Sequence, residues 1–302
     1  MKYAWIGQHK TVWPVTLSCE VLGVSASGYF EYRKRKAQTQ PSKPGSNKRI
    51  SNEALLVHIL AIHGEVKHEY GWPKMWKELV ARGIRVGKER VRKMMKLHGI
   101  KAKGKKKFVV TTDSNHNLPI APNLLERDFT AQQPDQVWTT DITYIATDDG
   151  WLYLTVLLDL YSRQVVGWSM KEHMQSSLVV DALRMAYFRR KPAPGLIVHS
   201  DRGSQYCGYD FQNALKGYEM RSSMSRKGDC WDNAPTESLW GHLKVARLHG
   251  RRFATRRAAM DEVIDWLGFY NSTRLHQTLD YVSPMVFEQR WNAAQQQDRK
   301  TA

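Results

Sequence analysis

From residue 51 onward the apolar positions recur first at helical spacing and then, past about residue 135, at strand spacing. Ser51 precedes Leu55, Leu56, Ile59 and Leu60, which predicts a capped helix. Tyr70-Gly71-Trp72-Pro73 predicts a turn with Pro73 in the first helical position. Met75, Trp76, Leu79 and Val80 then form the apolar side of a second helix that ends at Gly83. A third helix over 88–98 carries Val91, Met94, Met95 and Leu97 and closes at Gly99. Ahead of these, residues 16–36 read as two short helical phrases broken at Gly23. Ser25 caps the second, and Leu17, Val21, Leu22 and Val24 are expected to pack against Tyr29 and Tyr32. Residues 37–50 read as a linker.

Residues 108–134, with Pro119, Pro122 and Pro134, read as an interdomain connection. Three β-rich runs follow at 137–145, 151–160 and 163–170, separated by Asp148-Asp149-Gly150 and by Tyr161-Ser162, as in a meander. The pattern then predicts a helix over 177–190, a buried strand over 196–200, a short helix over 209–216 and a last strand over 220–224. A final helix starts near Asn233-Ala234-Pro235. This order predicts an α/β fold: an RNase H-like core with a mixed five-stranded sheet and flanking helices, preceded by a small all-helical, helix-turn-helix-like region. The expected organisation is an N-terminal helical segment and linker (1–50), the helix-turn-helix-like region (51–107), a linker (108–134), the core with C-terminal helices (135–292) and a tail (293–302).

Charge sharpens this division. The chain of 302 residues has a net charge of +17. Residues 1–110 hold 24 Lys and Arg against 7 Asp and Glu, and the remainder holds 22 of each sign. A basic segment joined to a neutral body suggests a polyanion-binding module on a separate catalytic body. The third helix has Lys88, Arg90, Arg92, Lys93 and Lys96 on its outer face, and Lys101, Lys103, Lys105, Lys106 and Lys107 trail it. These ten are the expected DNA contacts of a helix that enters the major groove. Three distant cysteines form no Cys-x-x-Cys pair, so neither a zinc site nor a disulfide framework is expected. His58, His63 and His68 recur every five residues, a spacing that does not hold ligands on one helical face, and read as surface or packing residues. No signal peptide or membrane span is expected, and a reducing, cytosolic setting fits.

Three carboxylates stand in distinctive phrases: Asp141 in Trp138-Thr-Thr-Asp-Ile-Thr-Tyr144, Asp201 in His199-Ser-Asp-Arg-Gly-Ser-Gln-Tyr206, and Glu237 in Asp232-Asn-Ala-Pro-Thr-Glu-Ser238. Hard divalent cations need clustered carboxylate oxygens, and a pair of them clamps the attacking and leaving oxygens of a phosphodiester. Asp141, Asp201 and Glu237 are therefore the candidate catalytic and metal-binding residues, for two Mg2+ ions with Mn2+ as a substitute, and no other cofactor is expected. Lys244, about two helical turns beyond Glu237, and Arg247 are candidate DNA contacts. Arg251, Arg252, Arg256 and Arg257 would track the backbone or form a solvated surface.

With these phrases in place, the chain resembles the downstream reading-frame product (OrfB type) of insertion-sequence transposases of family three. His63-Gly64 with Tyr70 to Pro73, the three carboxylate phrases, and the closing Tyr270-Asn271-Ser-Thr-Arg274-Leu-His276-Gln-Thr-Leu279 with Ser283-Pro284 carry the resemblance across nearly the whole chain. It implies a DDE transposase with a retroviral-integrase-like core that nicks DNA at the element's ends and joins the freed 3′-hydroxyl to a target. Double-stranded DNA, namely terminal repeats and target, is the implied partner, with a homo-oligomer on DNA. An upstream OrfA-type polypeptide, separate or fused by frameshifting, is a further implied partner. The alternatives are a catalytically incomplete half of such a fusion acting as a DNA-binding regulator, and a metal nuclease without joining activity.

Overall fold

The computed structural model describes residues 2–38, 50–103, 118–126, 128–226 and 233–301. It divides into two compact units, Met1–Ile50 and Ser51–Ala302. The first is built of α1 (Lys2–His9), α2 (Val15–Val21) and α3 (Ala26–Gln38) around Ile6, Cys19 and Tyr29. Ser25 does cap α3, accepting from Gly28 N at 3.0 Å. Leu17 and Val21, expected inside, are 45% and 77% exposed, because α2 turns Ser18 and Cys19 inward instead.

The second unit opens with α4 (Asn52–Glu65), α5 (Trp72–Ala81) and α6 (Lys88–Leu97). Ser51 Oγ accepts from Ala54 N at 3.1 Å and so satisfies one of the helix's orphan donors. Leu55, Ile59, Met75, Leu79, Val91, Met94 and Met95 are buried. Leu60, Val80 and Leu97, at the margins of their apolar stripes, stay exposed. Gly83 and Gly99 follow α5 and α6 with φ of +81° and +64°, a backbone region that costs glycine nothing.

The sheet consists of β1 (Val137–Thr147), β2 (Gly150–Asp159), β3 (Val165–Lys171), β4 (Ile197–Ser200) and β5 (Arg221–Met224). Its order is β3-β2-β1-β4-β5, antiparallel through β1, β2 and β3 and parallel from β1 through β4 to β5. This is the mixed five-stranded sheet the pattern predicts. The third strand begins at Val165 rather than 163. The carboxylate of buried Asp159 accepts from Ser162 N at 2.7 Å and Arg163 takes a left-handed φ of +58°, so the turn runs two residues longer.

Alternation along the strands builds two cores. Trp138, Leu157, Val166 and Val198 pack with Val179 and Leu183 of α7 (Ser176–Arg190). Short α8 (Ser204–Cys207) and α9 (Tyr209–Gly217) add Tyr206, Phe211 and Leu215 to that side. On the opposite side Ile145, Leu154 and Val156 meet Leu239 and Trp240 of α10 (Ala234–Leu243) and Val263 and Trp266 of α11 (Arg256–Ser272). A π-helical turn, Lys244–Leu248, follows α10, and α12 (Pro284–Thr301) closes the chain.

The π-helical turn corrects one sequence expectation. Arg247 is not placed to contact DNA. It is 3% exposed and bonds Glu69 at 3.1 Å, Glu262 at 2.9 Å and Asp265 at 2.8 Å. Glu69 lies just after α4, so this buried guanidinium fastens the three-helix region to the sheet domain. Lys103 Nζ, which donates to Ala246 O at 2.6 Å, adds a second tie. A guanidinium committed to three carboxylates has no donor fork left for phosphate.

Among the described glycines, Gly167 on β3 approaches a neighbouring backbone most tightly. A Cβ there would meet Ala182 O at 2.5 Å and Ala186 Cβ at 2.7 Å, both on α7. Gly167→Ala should therefore destabilise the fold by about 1–3 kcal/mol through overpacking, read as a lower urea midpoint at unchanged m-value.

Candidate active site

β1 and β4 are parallel neighbours in which Thr139 pairs with His199. Asp141 and Asp201 each lie two positions further on, so both stand at the carboxyl end of β4, with strands about 4.8 Å apart. Ligands commonly bind at such strand ends in α/β sheets. Asp141 shares its side of β1 with Ile145 and thus faces α10. Its Oδ2 accepts from Trp240 Nε1 at 2.9 Å and its Oδ1 from Ile142 N at 2.8 Å. Asp201 Oδ1 accepts from Gly203 N at 2.9 Å, and a Cβ on Gly203 would sit 3.1 Å from that oxygen.

Burial pushes the Asp141 carboxyl well above its ordinary range, and the charge of Asp201 pushes it further. The N–H groups of Trp240 and Ile142 oppose that rise, and Glu237 adds the smallest contribution. Glu237 itself is exposed in the first turn of α10, where the helix dipole favours an anion. The structure thus brings Asp141 and Asp201 together, with Glu237 within electrostatic reach but apart. Among the described residues no group of three or more His, Cys, Asp or Glu side chains could hold a metal ion.

The start of α10 is fixed on β1 by hydrogen bonds. Asn233 Nδ2 donates to Thr140 O at 3.2 Å, and Thr236 Oγ1 donates to Thr139 Oγ1 at 2.7 Å. With Trp240, these contacts occupy one helix face, which Glu237 adjoins. Nothing in the composition marks Trp240 as part of the site, although its spacing of three from Glu237 puts it on the right side of the helix. Beneath the aspartates, Tyr206 Oη lies 3.2 Å from Thr140 Oγ1 and 3.3 Å from Thr155 Oγ1, and Thr155 Oγ1 donates to Asp141 O at 3.0 Å. Buried His199 contacts Ser223 Oγ at 2.8 Å and steadies the other strand. Lys244 falls in the π-helical turn with Nζ 5.4 Å over the Tyr144 ring. Burial lowers its pKa to about 8, against the pull of Asp141.

Residues 131–230 and 218–284 match the integrase core domain family, and residues 51–108 match an HTH-like domain family. An insertion element IS600 protein of 31 kDa from Shigella sonnei is 42% identical over 91% of this chain and 98% of its own length. The transposase InsF of insertion sequence IS3A from Escherichia coli K12 is 39% identical over 95% of this chain and 98% of its own length. The chain belongs to the IS3 family of transposases. The HTLV-2 integrase catalytic core domain in complex with magnesium aligns over 53% of this chain and 99% of its own, with a TM-score of 0.42 and 16% identity.

As an IS3-family transposase, the chain is a DNA-transposing enzyme with an integrase core and an HTH-like domain. On that domain Lys88, Arg92, Lys93 and Lys96 are exposed along α6, followed by exposed Lys101 and Lys103. Arg90 is half-buried and donates to Asn52 Oδ1 at 2.7 Å, and Arg92 pairs with Glu89 at 2.8 Å. Lys105, Lys106 and Lys107 lie outside the described residues. Arg251, Arg252, Arg256 and Arg257 all pair with carboxylates, as in a solvated surface network.

Because the folded-state pKa of Asp141 is raised, the folded chain holds that proton more tightly than the unfolded chain does. The associated stability is present below the ordinary carboxylate range and is lost as pH rises through the raised value. Asp141→Asn should therefore stabilise the metal-free chain near pH 8 by on the order of 1–2 kcal/mol and make little difference near pH 4. Urea unfolding in chelator at both pH values checks this.

Proposed function

We propose that Asp141, Asp201 and Glu237 form the donor set for divalent cations, Mg2+ or Mn2+, and that the transposase uses it to cut DNA at insertion-sequence ends and join them to a target. The observation that carries this reading is the forced proximity of Asp141 and Asp201. Two like charges in a partly buried setting are unfavourable unless a cation offsets them. The donors fit such a cation, since all three are carboxylates and the oxygen-only set suits a hard ion.

Asp141 and Asp201 would hold the ions from the sheet, and Glu237 would complete the set from α10. Bound divalent ions would supply stabilisation of negative charge on a phosphodiester undergoing in-line displacement. Trp240 and Ile142 donate to the two Asp141 oxygens and Gly203 to one Asp201 oxygen, so these bonds fix the orientation of both carboxylates, whose other lone pairs would face an ion. In the first reaction a water oxygen bonds to phosphorus as the bond to the 3′-oxygen breaks, which leaves a 3′-hydroxyl and a 5′-phosphate. In the second that 3′-hydroxyl oxygen bonds to the phosphorus of a target phosphodiester as the bond to the target's own 3′-oxygen breaks, and the displaced oxygen leaves as a 3′-hydroxyl. Both displacements proceed without a covalent protein–DNA bond, so no serine or tyrosine nucleophile is required. The exposed lysines of α6 with Lys101 would supply phosphate contacts on duplex DNA, and Lys244 a contact beside the carboxylates. Two element ends call for a homo-oligomer on DNA, in the cytoplasm, assisted by an upstream polypeptide.

The test is incubation of the full chain with Mg2+ and a labelled duplex carrying the terminal repeats that flank its gene. Asp141→Asn, Asp201→Asn and Glu237→Gln should each lower nicking and joining about a hundredfold or more. Activity retained in any of the three removes that residue from the set.

A further inference from the structure

The closing phrase around Tyr270 takes no part in the carboxylate site. Asn271 has a structural use, since its side chain exchanges two hydrogen bonds of 2.9 Å with the backbone of Val165. Tyr270, Arg274 and His276 instead line a cleft of about 480 Å3. Lys74 of α5, Arg163 of the turn before β3 and His242 of α10 join them. Among the described residues lining this cleft, none is acidic.

Lys74, Arg163 and Arg274 bring positive charge to close quarters, and the acids that offset it are Glu69, shared by Lys74 and Arg274, and Asp159, which acts on Arg163. Arg274 and His276 are 5% and 7% exposed, and Arg274 Nε and His276 Nε2 are buried without a hydrogen-bond partner. Glu69 Oε2 pairs with Arg274 Nε at 3.4 Å while its Oε1 serves Arg247, so one carboxylate is shared between two guanidinium groups. Burial presses Lys74 down to about 7, with Arg274 adding to the fall and Glu69 opposing it, and burial with the neighbouring cations presses His276 to about 2, so that ring is neutral. An anion would reverse the charge part of that pressure. Arg163 keeps its place through a left-handed φ of +58°, the kind of backbone strain that gathers at binding sites. Phe129, Leu158 and Leu239 give the cleft an apolar wall, and Ser238, Gln277 and Thr278 add neutral polar groups. A cationic wall facing an aromatic and aliphatic one suits a phosphate joined to a base.

The position relative to α10 identifies the source. Ala234, Pro235 and Ser238 line the cleft, and Glu237 lies within the same turn. A strand crossing the start of α10 would meet both. We propose that this cleft is a nucleotide subsite, taking one phosphate from the strand that passes Glu237 against Lys74, Arg163 and Arg274, with its base against Phe129. The choice of strand rests on the reading of Glu237 given above, whereas the existence of the subsite does not.

The first arm uses the full chain in chelator, with deoxyadenosine 5′-monophosphate, inorganic phosphate and deoxyadenosine as probes, followed by calorimetric titration and thermal melting. The monophosphate and phosphate should bind and raise the melting temperature, and the neutral nucleoside should bind at least about tenfold more weakly. Lys74→Gln and Arg163→Gln should each weaken monophosphate binding about tenfold, with Lys74→Arg restoring it. Arg252→Gln, at an exposed pair with Asp148, should bind as wild type does. Melting without ligand verifies that each variant is folded. The second arm replaces single phosphates of the element-end duplex by neutral methylphosphonate. One position should weaken binding to wild type and make no difference to Arg163→Gln. No binding of either phosphate probe, or equal binding by Lys74→Gln, Arg163→Gln and wild type, overturns the proposal. Binding of free phosphate with no sensitive position in the DNA also overturns it, since the cleft then serves a small anion. Because the first arm involves no turnover, cleavage that survives in Glu237→Gln would sink the triad and leave the subsite standing.

Discussion

Asp141 within β1 and Asp201 just past β4 set two carboxyl groups side by side, and burial already disfavours ionisation of Asp141. Much of the polar bonding inside the domain holds them there. The parallel pairing of β1 with β4 sets their separation, and the Tyr206, Thr140 and Thr155 hydroxyls brace the strand from below. Trp240 and Gly203 then direct individual carboxylate oxygens. Such an arrangement costs stability in isolation. That is what is expected where a protein keeps a charged site for chemistry rather than for folding.

Helix α10 is the second consequence of that constraint. It carries Glu237, and its first two turns are anchored to β1 by Asn233, Thr236 and Trp240 rather than left to pack on apolar contacts alone. Its far end runs into the π-helical turn that buries Arg247 among Glu69, Glu262 and Asp265. The segment that bears Glu237 therefore also secures the three-helix region. Removing one partner of such a buried network leaves uncompensated charge worth about 3–5 kcal/mol, so the joint is a firm one. The HTH-like domain and the carboxylate site share a continuous support.

Sequence periodicity was a good guide wherever a segment's burial follows from its own pattern. The strands at 137–147 and 150–159 alternate or run apolar, and the helices from Ser51 to Leu97 carry stripes bounded by Ser51, Pro73, Gly83 and Gly99. It was weaker at stripe margins, where Leu17, Val21 and Leu97 stay exposed because exposure depends on what a neighbouring element covers. It also misjudged Arg247. A basic residue beside other basic residues looks like a solvated or DNA-facing charge until Glu69, 178 positions away, is found against it.

The sequence by itself determined the family, the alternation of helices and strands, and the positions of the three carboxylates, because each is written in local spacing and side-chain chemistry. Only the tertiary structure decided which side chains support Asp141, that Arg247 is structural, and that Lys74, Arg163, Arg274 and His276 converge on one cleft. Those residues come from α5, the turn before β3 and the segment after α11. Their meeting depends on how separate elements pack, and no local pattern encodes a contact across 200 residues of chain.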